Sequence, residues 1–292
     1  MIHLSWEDIE ELVARLVADL PRDYDLLLVV TRPGAPPPWP AVPALTVLDI
    51  GQGDAILLRS PDGAAALVDA GPPGEPAPVV AALRRAGVRR LDLVAFTHAS
   101  ADHVGGVADV LERFPVGALV APPMADEPTP PLLRAARRAA SGRGVPALTV
   151  RAGDRLAVGA WRVRVLWPAR RPAAGADPNL GSMVARASAG GLDALLTADA
   201  ESQVLAPLAP APVEVLKVSH HGSADEGLPA VLRRLRPAVA LISVGAGNRY
   251  GHPRRETADA LAVAGVRTWR TDRSGDVTVT GGAGAVDVRA SR

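Results

Sequence analysis

The chain has 292 residues, enough for one large or two small domains with a real hydrophobic core. Its hydrophobic content is 48% but aromatics supply only 3%, so the core is aliphatic, and a formal charge of +1 excludes a general basic field for drawing in nucleic acid. Cysteine is absent, which excludes disulfides and thiolate metal sites and leaves any transition metal to His and carboxylates.

The first thirty residues read as a helix and a strand. Ser5 is placed to cap a helix with Glu7 and Asp8 in its first turn, and Ile9, Leu12, Val13 and Leu16 fall at helical spacing. Leu26 to Val30 reads as a buried strand. Residues 33–44 (PGAPPPWPAVPA) form a stiff Pro-rich linker, so 1–32 is expected to be an N-terminal extension and 45–292 the main domain. There the pattern predicts strands at 45–50, 54–59 and 65–69, a helix at 76–87, a strand at 91–96, a helix at 103–113 and a strand at 117–121. A helix at 130–141 and strands near 147–151, 161–166, 182–188 and 192–197 follow. The chain ends with helix 200–206, strand 213–218, helix 227–235, strand 238–244, helix 255–264 and strands near 267–270, 276–280 and 285–289. Hairpins and helices alternate without a strict βαβ repeat, which points to an α/β (α+β) class with mixed sheets covered by helices. No apolar run approaches the roughly 20 residues of a membrane helix, and the N-terminus lacks a signal-peptide pattern; a soluble, cytoplasmic protein is expected.

Polar chemistry is concentrated. Lys217 is the one lysine, and five of the six histidines sit in short polar motifs. Thr97–Gly106 (THASADHVGG) follows an apolar strand and carries His98, Asp102 and His103 within six residues. A loop at a strand end lets such ligands converge, and Gly105 and Gly106 let the backbone turn closely behind them. The alternative is a helix start capped by Ser100 or Asp102. Asp199 in Leu195–Asp199 (LLTAD) projects past a buried strand, or caps the next helix. Leu216–Ser223 (LKVSHHGS) carries Lys217, His220 and His221; adjacent residues of a continuing strand face opposite sides, so one His ligates while the other orients it or meets substrate. Lys217 is a substrate-binding candidate or a surface lysine with a buried stem. Ser243–Pro253 is a Gly-rich loop whose Asn248, Arg249, Tyr250 and His252 suit an anionic substrate.

Taken together with Leu48–Asp54 (LDIGQGD), Leu67–Gly71 (LVDAG), Asn179–Val184 (NLGSMV) and Leu195–Glu201 (LLTADAE), these motifs resemble the metallo-β-lactamase fold, and more narrowly the hydrolase domain of ComEC competence proteins, over about 45–289. Residues 4–32 resemble the opening of a phosphoribosyltransferase, but no phosphate-binding loop follows and no transferase activity is inferred. The metallo-β-lactamase resemblance implies a four-layer αββα sandwich. It also implies a metal-dependent hydrolase, most nearly a phosphodiesterase or nuclease, with His98, Asp102, His103, Asp199 and His220 or His221 as ligands. Zn and Mn both suit the donors. The family's second His is here Ser100, and the middle-motif region carries Asn179 and no His. One tightly bound ion is therefore expected at Asp102, His103, Asp199 and His220 (or His221), with a weak or absent neighbour at His98 and Asp199. Asp102 and Asp199 carry the chemistry by holding an ion that makes hydroxide available near neutral pH. His252 positions substrate or protonates a leaving group, and Asn179, Lys217, Asn248, Arg249 and Tyr250 bind substrate. DNA or another phosphodiester is the expected partner, although the chain lacks the channel segments of those competence proteins; the oligomeric state is left open. The alternatives are a degenerate binding module, which Ser100 supports, and a hydrolase of another ester or amide.

Overall fold

The computed structural model describes residues 27–30, 39–124, 130–173, 175–282 and 285–292. The helix expected after Ser5 and most of the Pro-rich stretch fall outside the described residues. Strand β1 (Leu27–Val30) is followed by β2 (Ala44–Val47), β3 (Ile56–Arg59), β4 (Ala65–Val68), helix α1 (Pro78–Arg85) and β5 (Leu91–Ala95). Next come α2 (Ala101–Val104), α3 (Val107–Arg113), β6 (Val116–Ala121), α4 (Pro131–Gly142) and β7 (Ala147–Thr149). The second half runs β8 (Arg155–Val158), β9 (Trp161–Trp167), β10 (Val184–Ala189), β11 (Leu192–Leu196), α5 (Ser202–Leu208) and β12 (Val215–Lys217). It closes with α6 (Leu228–Leu235), β13 (Val239–Ile242), α7 (Arg255–Val263), β14 (Arg267–Arg270), α8 (Thr271–Ser274), β15 (Val277–Gly282) and β16 (Ala285–Ala290).

The strands form two eight-stranded sheets, ordered β16-β15-β2-β3-β4-β5-β6-β7 and β1-β8-β9-β10-β11-β12-β13-β14. Their facing sides share one aliphatic core, in which Leu45, Leu58, Val163 and Leu241 are buried with Trp161, whose indole N–H donates to the Arg59 carbonyl at 2.9 Å. The outer side of the first sheet packs on α1, α3 and α4 through residues such as Leu83, Leu111 and Leu133. The outer side of the second packs on α5, α6 and α7 through Leu205, Leu232 and Leu261. Each such Leu contributes about 2 kcal/mol by leaving water. This is the four-layer αββα sandwich that the motifs imply, with mixed rather than wholly parallel sheets.

Two expectations need correction. β8 was not anticipated; its four residues between the turns at Gly153 and Gly159 are too short to show an alternation. The helix expected over 103–113 divides into α2 and α3 at Gly105–Gly106. Both glycines are needed for contact rather than for φ: a Cβ would lie 2.4 Å from the Pro73 nitrogen at Gly105 and 2.3 Å from the Ala70 carbonyl oxygen at Gly106. β1 pairs in parallel with β8, so the strand of the N-terminal extension extends the second sheet at its edge. Among the described residues, no helix is long and apolar enough to cross a membrane.

The sheets also decide where a site can form. β4 to β7 run parallel, as do β11 to β14. The loops leaving their carboxyl ends meet where the sheets face each other, a usual place for ligands in such folds.

Candidate metal centre

Four histidines meet at these loops with the carboxylates of Asp69, Asp102, Asp199 and Glu201. After β5, the Thr97 N–H and hydroxyl donate to the two oxygens of Asp69, at 2.7 and 2.8 Å. Asp69 follows β4 in the left-handed region at φ 61°, and its Oδ2 lies 2.8 Å from His103 Nδ1. A carboxylate on Nδ1 fixes the ring and turns Nε2 toward the site, the usual support of a metal-ligating His. His98 Nδ1 is 3.1 Å from Thr97 Oγ1. Because that hydroxyl donates to Asp69, the His98 ring donates from Nδ1 and keeps a lone pair on Nε2.

The second sheet supplies the rest. Asp199 follows β11 after Ala198, itself at φ 47°. It is not the cap of α5, whose N-cap position is Glu201. β12 ends at Lys217, and His220 and His221 then both take left-handed backbone, at φ 47° and 53°, within a short 3-10 turn. Such residues cost on the order of 1–2 kcal/mol each and cluster at functional sites. The expectation that two adjacent His must face opposite ways rests on a strand that does not continue; the turn brings both to Asp199. His221 Nδ1 donates to the Ser243 carbonyl at 2.9 Å, and His220 Nδ1 lies 2.9 Å from Glu201 Oε1.

All four rings therefore have Nδ1 occupied and Nε2 turned inward. His103 and His221 place Nε2 at 3.1 and 3.6 Å from Asp199 Oδ1. His98 and His220 place Nε2 at 3.7 and 3.9 Å from the other oxygen, Oδ2. Asp102 Oδ2 is 3.3 Å from His221 Nε2. The Nε2 atoms of His98, His103 and His221 and Oδ1 of Asp199 are buried with no hydrogen-bond partner. Buried polar atoms without partners are costly. Several converging on one point, with donors suited to a divalent cation, fit a metal. Groups able to hold one are His98, His103 and Asp199, and Asp102, His103 and His221.

The electrostatics agree. Burial and the neighbouring His103 push His98 down to about 3, leaving a neutral ring. Burial works against charge on His103 and His221 too, but carboxylates outweigh it: Asp199 and Asp69 hold His103 well up, and Asp54 with Asp102 raises His221 to about 9. The hydrogen bond that His220 donates to the Glu201 carboxylate raises His220. Burial would raise Asp199, yet His103 and His221 hold it well below the usual carboxylate range. At Asp69 burial prevails and the carboxyl is raised.

The remaining candidates divide. Lys217 is fully buried and ion-paired with buried Asp54, and its ammonium donates to the Ala198 carbonyl at 3.3 Å, so it braces the site from beneath rather than meeting substrate. The Asn248 amide is engaged by its own loop, donating to the carbonyls of Gly245 and His252 and accepting the His252 N–H at 3.0 Å. The burial of Lys217 corrects a substrate-binding expectation. Asn179 sits in a 3-10 turn, Pro178–Gly181, held by Asp177; that segment reaches the cluster through the Met183 N–H on the Thr97 carbonyl, 3.0 Å. Arg249 and Tyr250 are exposed and contact each other at 3.2 Å, and the Tyr250 ring stacks on His252. His252 also lies beside His220 and is lowered to about 4 by burial and by the nearby histidines. Ser100 occupies the N-cap position of α2 without a side-chain capping bond. Asp54, Asp69, Glu201 and Ser243 were not among the expected site residues. Asp54 ends LDIGQGD just before β3, Asp69 lies within LVDAG just after β4, and Glu201 ends LLTADAE, so an acid beside a strand was the available signal.

The sequence profile of the metallo-beta-lactamase superfamily matches residues 48–246. ComE operon protein 3 of Bacillus subtilis (strain 168) is 31% identical over 256 residues, covering 79% of this chain and 32% of that protein. Competence protein ComA of Neisseria gonorrhoeae is 30% identical over 277 residues, 89% of this chain and 35% of that protein. The chain thus spans about a third of the length of these relatives. Among solved structures, the metallo-beta-lactamase fold protein YhfI from Bacillus subtilis aligns with a TM-score of 0.55 at 13% identity, over 84% of this chain and 99% of that one, a likeness of fold alone. The two relatives agree with the ComEC resemblance of the motifs, and on profile, relatives and fold the chain belongs to the metallo-β-lactamase superfamily.

Proposed function

We propose that the chain is a metal-dependent phosphodiesterase, nuclease-like in its substrate class. The observation that carries the metal dependence is the convergence of unpartnered Nε2 atoms from both sheets on Asp199. A bound divalent cation, Zn or Mn, supplies Lewis-acid polarisation and an acidified water. Asp102, His103, His221 and Asp199 would hold it, with His98 and His220 near the other Asp199 oxygen as the weaker side; the residue that corresponds to the family's second His is Ser100, a neutral hydroxyl. Asp69, Glu201 and the Ser243 carbonyl keep the rings oriented. Arg249, which meets no carboxylate among the described residues, supplies a cation to a phosphoryl oxygen. A phosphodiester is further supported by the relative named as a competence protein and by the ComEC resemblance of the motifs, and DNA is the natural member of that class. His252 is depressed to about 4 and is neutral near pH 7, which favours positioning over donation of a proton to the leaving group.

The test pairs metal analysis with turnover of bis(p-nitrophenyl) phosphate and p-nitrophenyl acetate in Mn and Zn. Metal-dependent release from the diester, lost at least a hundredfold in Asp199→Ala with an unchanged circular dichroism spectrum, is the expected result. Ser100 specifically favours a second reading, a binding module that keeps the ion but not the chemistry. Bound metal with no turnover of either compound supports that reading; turnover of the acetate alone points to another ester.

A further inference from the structure

A second feature opens on the same sheet edge and takes no part in the metal cluster. It is a cavity of about 560 Å³ beside the carboxyl ends of β5, β6 and β7, within the usual range of ligand pockets. Phe96 and Leu119 form part of its floor, and Arg137, Arg151, Arg170 and Arg171 line it. The arginines come from three places: Arg137 from α4, Arg151 from just past β7, and Arg170 with Arg171 from the segment after β9. Among the described residues no carboxylate meets the guanidinium of Arg137, Arg151 or Arg170, and all three are exposed. A chain of net charge +1 thus gathers four cations around one hollow.

Phe96 leads directly into Thr97 and His98, so the cavity and the cluster share one strand end. β7 lies two strands from β5 in the sheet order, about 10 Å along the edge at ordinary strand spacing. A strand of nucleic acid with one phosphate at the cluster can bring the phosphates that follow it along the backbone to this cavity. Guanidinium groups suit phosphate oxygens, and they bind backbone rather than base. The floor offers no exposed ring for stacking, since Phe96 is only 2% exposed.

We propose that this arginine-lined cavity binds the phosphate backbone of single-stranded nucleic acid without regard to sequence, as an extension of the metal site. The ligand class rests on the phosphodiesterase reading above; the cavity and its charge do not. Backbone binding by four cations gives a defined salt dependence: affinity falls about 50-fold between 50 and 200 mM salt, and about 3-fold when only one of the four remains.

The experiment measures anisotropy of a fluorescein-labelled phosphorothioate 12-mer, which keeps its charge and resists cleavage, on the full chain as purified. The variants are Arg137→Ser/Arg151→Ser/Arg170→Ser and, as an equal change of charge elsewhere, Arg84→Ser/Arg233→Ser/Arg234→Ser. All are exposed, and circular dichroism checks each fold. The expected result is binding by the parent and the second variant with the steep salt dependence, and a loss of at least tenfold with the shallow dependence in the first. Oligonucleotides of different sequence bind alike. Equal affinity and equal salt dependence in both variants overturns the proposal, as does absence of binding by the parent. Displacement of the 12-mer by poly-glutamate as readily as by unlabelled oligonucleotide also overturns it, because carboxylates then serve as well as phosphates. Hydrolysis of bis(p-nitrophenyl) phosphate by the parent is read separately, so failure of the phosphodiesterase reading is distinguishable from failure of the cavity.

Discussion

At the scale of single residues, the site depends on how each imidazole is held. His221 reaches Asp102 and Asp199 Oδ1, whereas His220 reaches Oδ2. His221→Ala is therefore expected to weaken the tighter ion at least about a hundredfold, more than the loss of a supporting group costs. His220→Ala is expected to affect only the weaker one. Ser100→Asp adds a carboxylate to the weaker side and is expected to raise metal per chain toward two, with faster hydrolysis if both ions act. Metal analysis of the three variants decides; two tightly held ions in the parent would show that His98, His220 and Asp199 suffice without residue 100. Lys217 gives a different prediction. Lys217→Met leaves the Asp54 carboxylate buried without its counter-charge, which costs about 3–5 kcal/mol. Urea unfolding reads this, and a change below about 1 kcal/mol would mean that His221 and His103 balance Asp54 without Lys217.

At the scale of elements, the ligands ride on loops while the strands beneath them are rigid. Gly53, at φ 128°, allows the β2–β3 loop to pass against α2; a Cβ there would lie 2.2 Å from the Asp102 carbonyl oxygen. This contact couples Asp54, whose N–H bonds that same carbonyl at 3.0 Å, to the first ligand loop. Among the described residues, the N-terminal extension meets the fold elsewhere. Its described strand, β1, is at the edge of the second sheet and pairs with β8. Deletion of residues 1–38 is expected to cost about 2 kcal/mol, the net worth of a few edge hydrogen bonds, while metal content stays unchanged. Loss of bound metal in the truncated chain would show that the extension belongs to the main domain and not to a separable unit.

At the scale of the whole molecule, the centre joins loops of two sheets. An ion bound there stabilises the folded chain by mass action, by about 4 kcal/mol at a thousandfold excess over Kd. Metal binding is also linked to protons. His221 is raised to about 9 from 6.5, so below that value its ring must lose a proton to become a ligand. Affinity is expected to rise between pH 6 and pH 8, by about tenfold per pH unit for each proton displaced. The metal-free chain has the opposite sign: the proton on His221 stabilises it fully below pH 6.5, and this is lost as pH rises through about 9. Melting temperature with Mn or with EDTA across this range, and proton release in buffers of different ionisation enthalpy, check both signs. A metal-induced shift independent of pH would place the ion away from these histidines.

The four-layer fold was implied by the resemblance of the ordered motifs, whereas candidate ligands show in the chain because strand ends write themselves into local periodicity. His98, Asp102, His103 and Asp199 were legible for that reason: each follows an apolar run that must be a buried strand. β8 was not, since four residues between two turns carry too little pattern. Three matters were decided only by tertiary structure. Both His220 and His221 reach Asp199 because β12 stops and two left-handed residues follow, which spacing alone cannot show. Lys217 points inward because Asp54, 163 positions earlier, comes to lie beneath it as a counter-charge. The arginines of the basic cavity are ordinary surface residues in one dimension; they become a group only when α4, the end of β7 and the segment after β9 converge. Charge and contact act through space, whereas periodicity acts along the chain.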